Sequence, residues 1–197
     1  MNTSYTNPGG SGDRTTLITV TYSTKLGTAV GGTGNLINGL LYPPETYNWA
    51  QQGVFSNSGE WCCFDFGVGE SKIIDECKWY QSDDASHGTW KWQGSDNGSE
   101  WTDIGSSFTL GTPAIQTQTS LGGNVTGYRY YRLLGISGNV NNGTYVSEAE
   151  FKIDDYVLPA AFGESVFIPG IERSTFSKLS RVICKGKDRF IHLPNRT

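Results

Sequence analysis

Charge is scarce in this chain. Asp, Glu, Lys and Arg make up 17% of 197 residues, and the net charge is −4. General binders of nucleic acid or of anionic membranes are basic, so neither partner is expected. Histidine is scarcer still: His87 and His192 are the only two, in unrelated contexts. No G-x-S-x-G, phosphate loop or H-E-x-x-H occurs. The carboxylate pairs Asp83–Asp84 and Asp154–Asp155 lie in turn-like sequence. Solvent there keeps both groups ionised and defeats the pKa splitting that acid–base catalysis needs. The composition therefore points away from an enzyme. The four cysteines, Cys62, Cys63, Cys77 and Cys184, offer none of the C-x₂-C spacings of a zinc site. They read as reduced, buried thiols. No apolar run approaches the length of a membrane span. The start, MNTSYTNPGGSGDR, lacks a basic beginning and an apolar stretch, so no signal peptide is expected.

What is abundant is aromatic residues, 13% of the chain, and glycine, with 26 residues. Large rings punctuated by turn formers belong to an all-β protein, and no stretch of useful length carries helical periodicity. The segment Trp90–Gly105, WKWQGSDNGSEWTDIG, is the clearest local pattern. Aromatic and polar residues alternate from Trp90 to Gln93, as in a half-buried strand. Asp96, Asn97 and Gly98 supply a turn, because Asn and Asp tolerate unusual dihedrals and Gly takes positive φ without steric cost. Trp101 and Ile104 restart the alternation. The pattern predicts a β-hairpin, with Trp61 and Trp101 in the core and Trp49 exposed in a loop.

This hairpin resembles the "SxDGxxW" hairpin of the discoidin family, also called coagulation-factor type C domains. Four further segments match that family in order. Asn35–Leu40 (NLINGL) resembles the early "A-x-D-G" turn, with Asn38 in place of aspartate. Trp61–Gly67 (WCCFDFG) resembles the "W-x-x-x-D-L-G" strand. Tyr128–Gly135 (YRYYRLLG) resembles the "RYVRL" strand, and Ser147–Ile153 (SEAEFKI) the closing "EIEF" strand. The resemblance implies a discoidin-like (galactose-binding-like, jelly-roll type) β-sandwich that binds sugars, lipids or proteins and catalyses nothing. The resemblance covers roughly residues 35–153 and leaves both ends unexplained; composition adds residues 1–34 as an N-terminal arm with a first strand, with 35–155 as the sandwich and 156–197 as a C-terminal extension.

Sandwiches of this type bind ligands with the loops at one end. A pyranose has an apolar face and a polar rim, so a sugar site needs aromatic platforms beside hydrogen-bonding side chains. Three loops qualify. One carries Tyr47 and Trp49, one carries His87, and one carries Asn141, Asn142 and Tyr145. Each has a plainer reading: a rim tryptophan packed under its own loop, a solvated turn histidine, and asparagines doing turn chemistry. The family resemblance also implies a structural calcium near Asn38 and Glu148. Asparagine at position 38 removes one charged oxygen, and the competing reading has Glu148 and Glu150 merely flanking an exposed strand edge. Arg129 and Arg132 read as one arginine paired with a carboxylate such as Asp65 and one exposed.

Charge is unevenly spread. Residues 1–160 hold eight Lys/Arg and 16 Asp/Glu, a balance of −8, whereas 161–197 hold seven and three, a balance of +4. About 40 residues bury too little surface to fold alone, so the extension is expected to pack on another surface, within a homo-oligomer or on other subunits. Similar sandwiches occur in virion proteins of tailed bacteriophages. That analogy implies a virion surface protein, assembled in the host cytoplasm, that binds carbohydrate on a host surface. The alternative is a structural decoration protein with no glycan ligand.

Overall fold

The computed structural model describes residues 3–6, 8–23, 26, 36–41, 55–81, 86–111, 115–140 and 146–154. The chain divides into two compact units, Met1–Tyr156 and Val157–Thr197. The second unit, and with it the predicted assembly segment, lies outside the described residues.

The first unit is all-β, as expected, with no α-helix among its described residues. Its strands are β1 (Thr3–Ser4), β2 (Thr19–Tyr22), β3 (Phe55–Ser56), β4 (Trp61–Asp65), β5 (Ile74–Gln81), β6 (Gly88–Ser95), β7 (Thr102–Leu110), β8 (Ile115–Gln118), β9 (Tyr130–Ser137), β10 (Asn139–Val140) and β11 (Val146–Asp154). They form a five-stranded sheet in the order β2-β4-β9-β6-β7, a four-stranded sheet in the order β1-β11-β5-β8, and a two-stranded ribbon of β10 and β3. All pairings are antiparallel.

Period-2 alternation decides what each strand buries. On β4, Cys62 and Phe64 point inward and Trp61 and Asp65 do not. On β5, Cys77 and Trp79 are buried while Lys78 and Tyr80 are partly exposed. Phe151 of β11 joins the sheets: its ring meets Phe64 at 4.8 Å and Trp92 at 5.9 Å, both edge-on. Edge-to-face contact suits the aromatic quadrupole and adds to the area buried. Trp79, Trp90 and Trp92 are fully buried. Burial raises the thiol pKa of Cys62 and Cys77 well above the ordinary value, so these two cysteines are inert core residues.

The hairpin forms as its sequence predicts. Ser95 Oγ accepts from Gly98 N at 2.9 Å, and Asn97 Oδ1 accepts from Ser99 N and Glu100 N, each at 2.9 Å. Gly98 takes φ +72°. The two tryptophans expected in the core are corrected, however. Trp61 and Trp101 are half-buried and lie on the outer face of the five-stranded sheet.

The reading of residues 1–13 as a flexible arm is corrected too, because the described residues 3–6 and 8–13 are tied to the sandwich. β1 pairs with the end of β11, Phe151 N donates to Gly9 O at 2.6 Å, and Gly9 and Gly10 are buried. Thr15–Leu17 form a turn, opened by Asp13 Oδ1 accepting from Thr15 N at 2.9 Å, and the first strand of the five-stranded sheet starts at Thr19.

Candidate functional site

The strand ends flanking the three predicted loops converge. Residues 42–54 end at Phe55, which pairs with Val140, and residues 141–145 begin after Val140. Residues 141–145 end at Val146, which pairs with Gln81, and residues 82–85 begin after Gln81. A fourth connection belongs to the same end: residues 112–114 run from the Gly88–Leu110 pair to the Tyr80–Ile115 pair.

Asn57 ties two of these anchors, the start of β6 and the turn before β10, to the β3–β4 turn. It is fully buried, in the turn between β3 and β4. Its Nδ2 donates to His87 O at 3.2 Å and to Thr89 O at 3.1 Å, at the start of β6. Its backbone N donates to Gly138 O at 3.1 Å, in the turn between β9 and β10. One residue, by side chain and backbone, thus ties the β3–β4 turn to the start of β6 and to the β9–β10 turn. Glycine makes room for it: a Cβ at Gly88, where φ is +82°, would meet Asn57 Nδ2 at 2.6 Å and Ser137 O at 2.7 Å.

His87 is corrected. Ligand contact and solvated turn both need its ring at the surface, but the residue is fully buried. Its backbone does structural work instead: His87 N donates to Leu110 O at 2.9 Å, and His87 O accepts from Trp90 Nε1 at 2.8 Å. Tyr47, Trp49, Asn141, Asn142 and Tyr145 lie outside the described residues. Asn57 is not among the residues that the sequence singles out. The signal was there in SNSG, a turn cluster.

The outer face of the five-stranded sheet carries a second group of side chains, all engaged with one another. The Arg132 guanidinium lies 4.0 Å over the Trp101 ring. Its Nε donates to Gln93 Oε1 at 2.7 Å, Gln93 Nε2 donates to Asp103 Oδ1 at 2.5 Å, and Lys91 Nζ lies 2.6 Å from Asp103 Oδ2. Hydrogen bonds from Lys91 and then Gln93 hold the Asp103 carboxyl below its usual pKa. Cys63, opposite Arg132 in register, is pushed up to about 12 by burial. Arg129 grips Asp65 with two bonds of 2.7 Å, as expected of one arginine, and these lower the Asp65 pKa. Arg132, expected exposed, is instead half-covered by its stack on Trp101. A cleft of about 390 Å³ lined by Leu17, Phe66, Glu70 and Lys72 lies beyond the Asp65 end of β4, away from the loop anchors.

The calcium expectation meets a different chemistry. Asn38 Oδ1 accepts from Leu40 N at 3.0 Å, closing its own turn. Glu148 is fully buried. Its Oε1 is bonded by Arg14 Nη2, and its Oε2 accepts from Gly39 N at 3.0 Å. The exposed-edge reading is corrected too, since Glu150 is 7% exposed. Among the described residues no three His, Cys, Asp or Glu side chains converge as a metal-binding group. With both Glu148 oxygens committed to donors, the residues present do not fit a calcium ion.

No protein-family model and no curated protein sequence matches the chain. Solved structures do. The CBM32 of AlyQ, in complex with 4,5-unsaturated mannuronic acid, is 23% identical over 67% of this chain and 92% of its own, with a TM-score of 0.45. Chitosan-binding module 1 from the chitosanase/glucanase of Paenibacillus sp. IK-5 is 20% identical over 68% and 94%, with a TM-score of 0.48. The family 32 carbohydrate-binding module of C. perfringens NanJ, in complex with galactose, is 11% identical over 70% and 95%, with a TM-score of 0.48.

Proposed function

We propose that the first unit is a non-catalytic carbohydrate-binding module whose ligand sits at the loop end of the sandwich. The observation that carries this reading is the pairing of the loop anchors, Phe55 with Val140 and Val146 with Gln81. It brings together the attachment points of the segments bearing Tyr47 and Trp49 and those bearing Asn141, Asn142 and Tyr145. Aromatic rings cover the apolar face of a pyranose and side-chain amides bond its hydroxyls. His87 takes no part, because it is buried beneath the anchors.

The finer reading is display of this module on a bacteriophage particle, through the basic segment 157–197. The charge contrast along the chain supports an attachment role for that segment. It equally supports the second reading, a decoration protein without a glycan ligand. A glycan array followed by titration of the best hit separates the two. Trp49→Ala should weaken binding about tenfold or more while leaving the unfolding transition in place. A parent chain that binds no glycan, or a Trp49→Ala chain that binds as well as the parent, removes the sugar site.

A further inference from the structure

The Arg14–Glu148 pair is built like a cation site with the cation supplied by the chain. Arg14 is fully buried, and every acceptor identified on its guanidinium is an oxygen. Nε donates to Gly12 O at 3.2 Å, Nη1 donates to Gly9 O at 3.1 Å, and Nη2 bonds Glu148 Oε1. Two backbone carbonyls and a carboxylate gathered around one group are the oxygens a hard cation attracts. Here that group is planar, with five donors and no acceptor.

The neighbourhood is shaped around this arrangement. Gly39 takes φ +76°, and a Cβ there would lie 2.4 Å from the Gly12 backbone. Only glycine therefore lets the 36–41 turn press against the segment that supplies Gly12 O. Gly39 N then reaches Glu148 Oε2, and Arg14 N donates to Ile37 O at 2.8 Å. Gly9 is equally tight: a Cβ would lie 2.2 Å from Phe151 O. Three stretches of chain, 9–14, 36–41 and the start of β11, thus meet at the Arg14–Glu148 pair. Residue 41 leads directly into the segment carrying Tyr47 and Trp49.

We infer that Arg14 replaces the structural calcium implied by the discoidin resemblance, and that this unit folds without any divalent cation. A calcium ion placed on Glu148 would stand beside the guanidinium, two cations sharing one carboxylate. Both the repulsion and the loss of the Arg14 bonds oppose it.

The test is thermal unfolding of the full chain, first in excess EDTA and then in millimolar calcium chloride. The midpoint should be the same in both. A resident calcium at 100 times its dissociation constant would raise the midpoint by about 5–10 °C, and such a rise overturns the inference. Arg14→Gln should lower the midpoint by roughly 10 °C, because it strands a buried carboxylate. Arg14→Lys, which keeps the charge but loses the planar fork, should fall between parent and Arg14→Gln. An Arg14→Gln chain as stable as the parent also overturns the inference. Should Arg14→Gln fail to fold, the parent in EDTA against calcium still decides.

Discussion

Trp92 and Trp101 belong to one hairpin and face opposite ways. Register pairs Trp92 with Ile104 and Gln93 with Asp103, so Ile104 points inward. Trp101 is three residues earlier, an odd step, and in extended chain an odd step changes face. The alternation was legible in the sequence, but both residues could not have been core partners. What sequence cannot supply is the outer-face stack that makes Trp101 useful there, since Arg132 is contributed by β9, about 30 residues away. The energetic consequence differs by residue. Trp92→Ala removes a fully buried ring that touches Phe64 and Phe151, and should cost about 3–5 kcal/mol. Trp101→Ala loses the Arg132 stack and a half-covered ring, and should cost about 1–2 kcal/mol. Urea unfolding of the two variants checks the order. Equal losses would put Trp101 back in the core.

At the level of elements, turns made the fold readable and loop ends made the site partly readable. The SDNG turn, the β4 alternation and the Arg129–Asp65 pair all follow from short-range pattern or the family resemblance, and the structure has them. The Asn57 clamp does not, because its partners His87, Thr89 and Gly138 are 30 residues or more away. The role of the N-terminal segment was hidden for the same reason. Gly, Ser, Asn and Pro read as loose chain, yet glycines at positions 9 and 39 permit close backbone approaches that no local pattern announces. Gly135 shows how tightly the clamp is set. It lies within β9, where a Cβ would come 1.9 Å from Asn57 O. That atom is backbone in a turn pinned on three sides, so it cannot rotate away as a flexible side chain would. Gly135→Ala should therefore cost about 3 kcal/mol, the upper end of overpacking penalties, and should displace Asn57 from its acceptors. Thermal unfolding and the glycan titration, run on the same sample, should both report a loss. A Gly135→Ala chain with parental stability would show that the β3–β4 turn yields easily and that Asn57 is no clamp.

The whole molecule combines two units of opposite charge. Residues 1–156 carry −8 and residues 157–197 carry +4. Among the described residues the first unit has a core that runs from Ile18 to Ile153. It should therefore fold without the second. A segment of about 40 residues is expected to bury too little surface to fold alone, so we propose that the apolar residues of 157–197, among them Phe162, Phe167, Ile168 and Phe176, are covered by another surface. Basic side chains such as Arg173, Lys178 and Arg181 would favour an acidic one, and the first unit of a second copy, at −8, would offer that charge. Attraction between exposed charges is screened over about 8 Å at physiological ionic strength, so association resting on it should weaken as salt rises. A chain ended at Tyr156 should give the cooperative unfolding transition of the sandwich, bind whatever glycan the full chain binds, and sediment as a monomer. The full chain should sediment as a larger species at low salt and shift toward monomer at high salt. If the shortened chain unfolds while the full chain is monomeric at every salt concentration, residues 157–197 complete the sandwich itself and the assembly role is wrong.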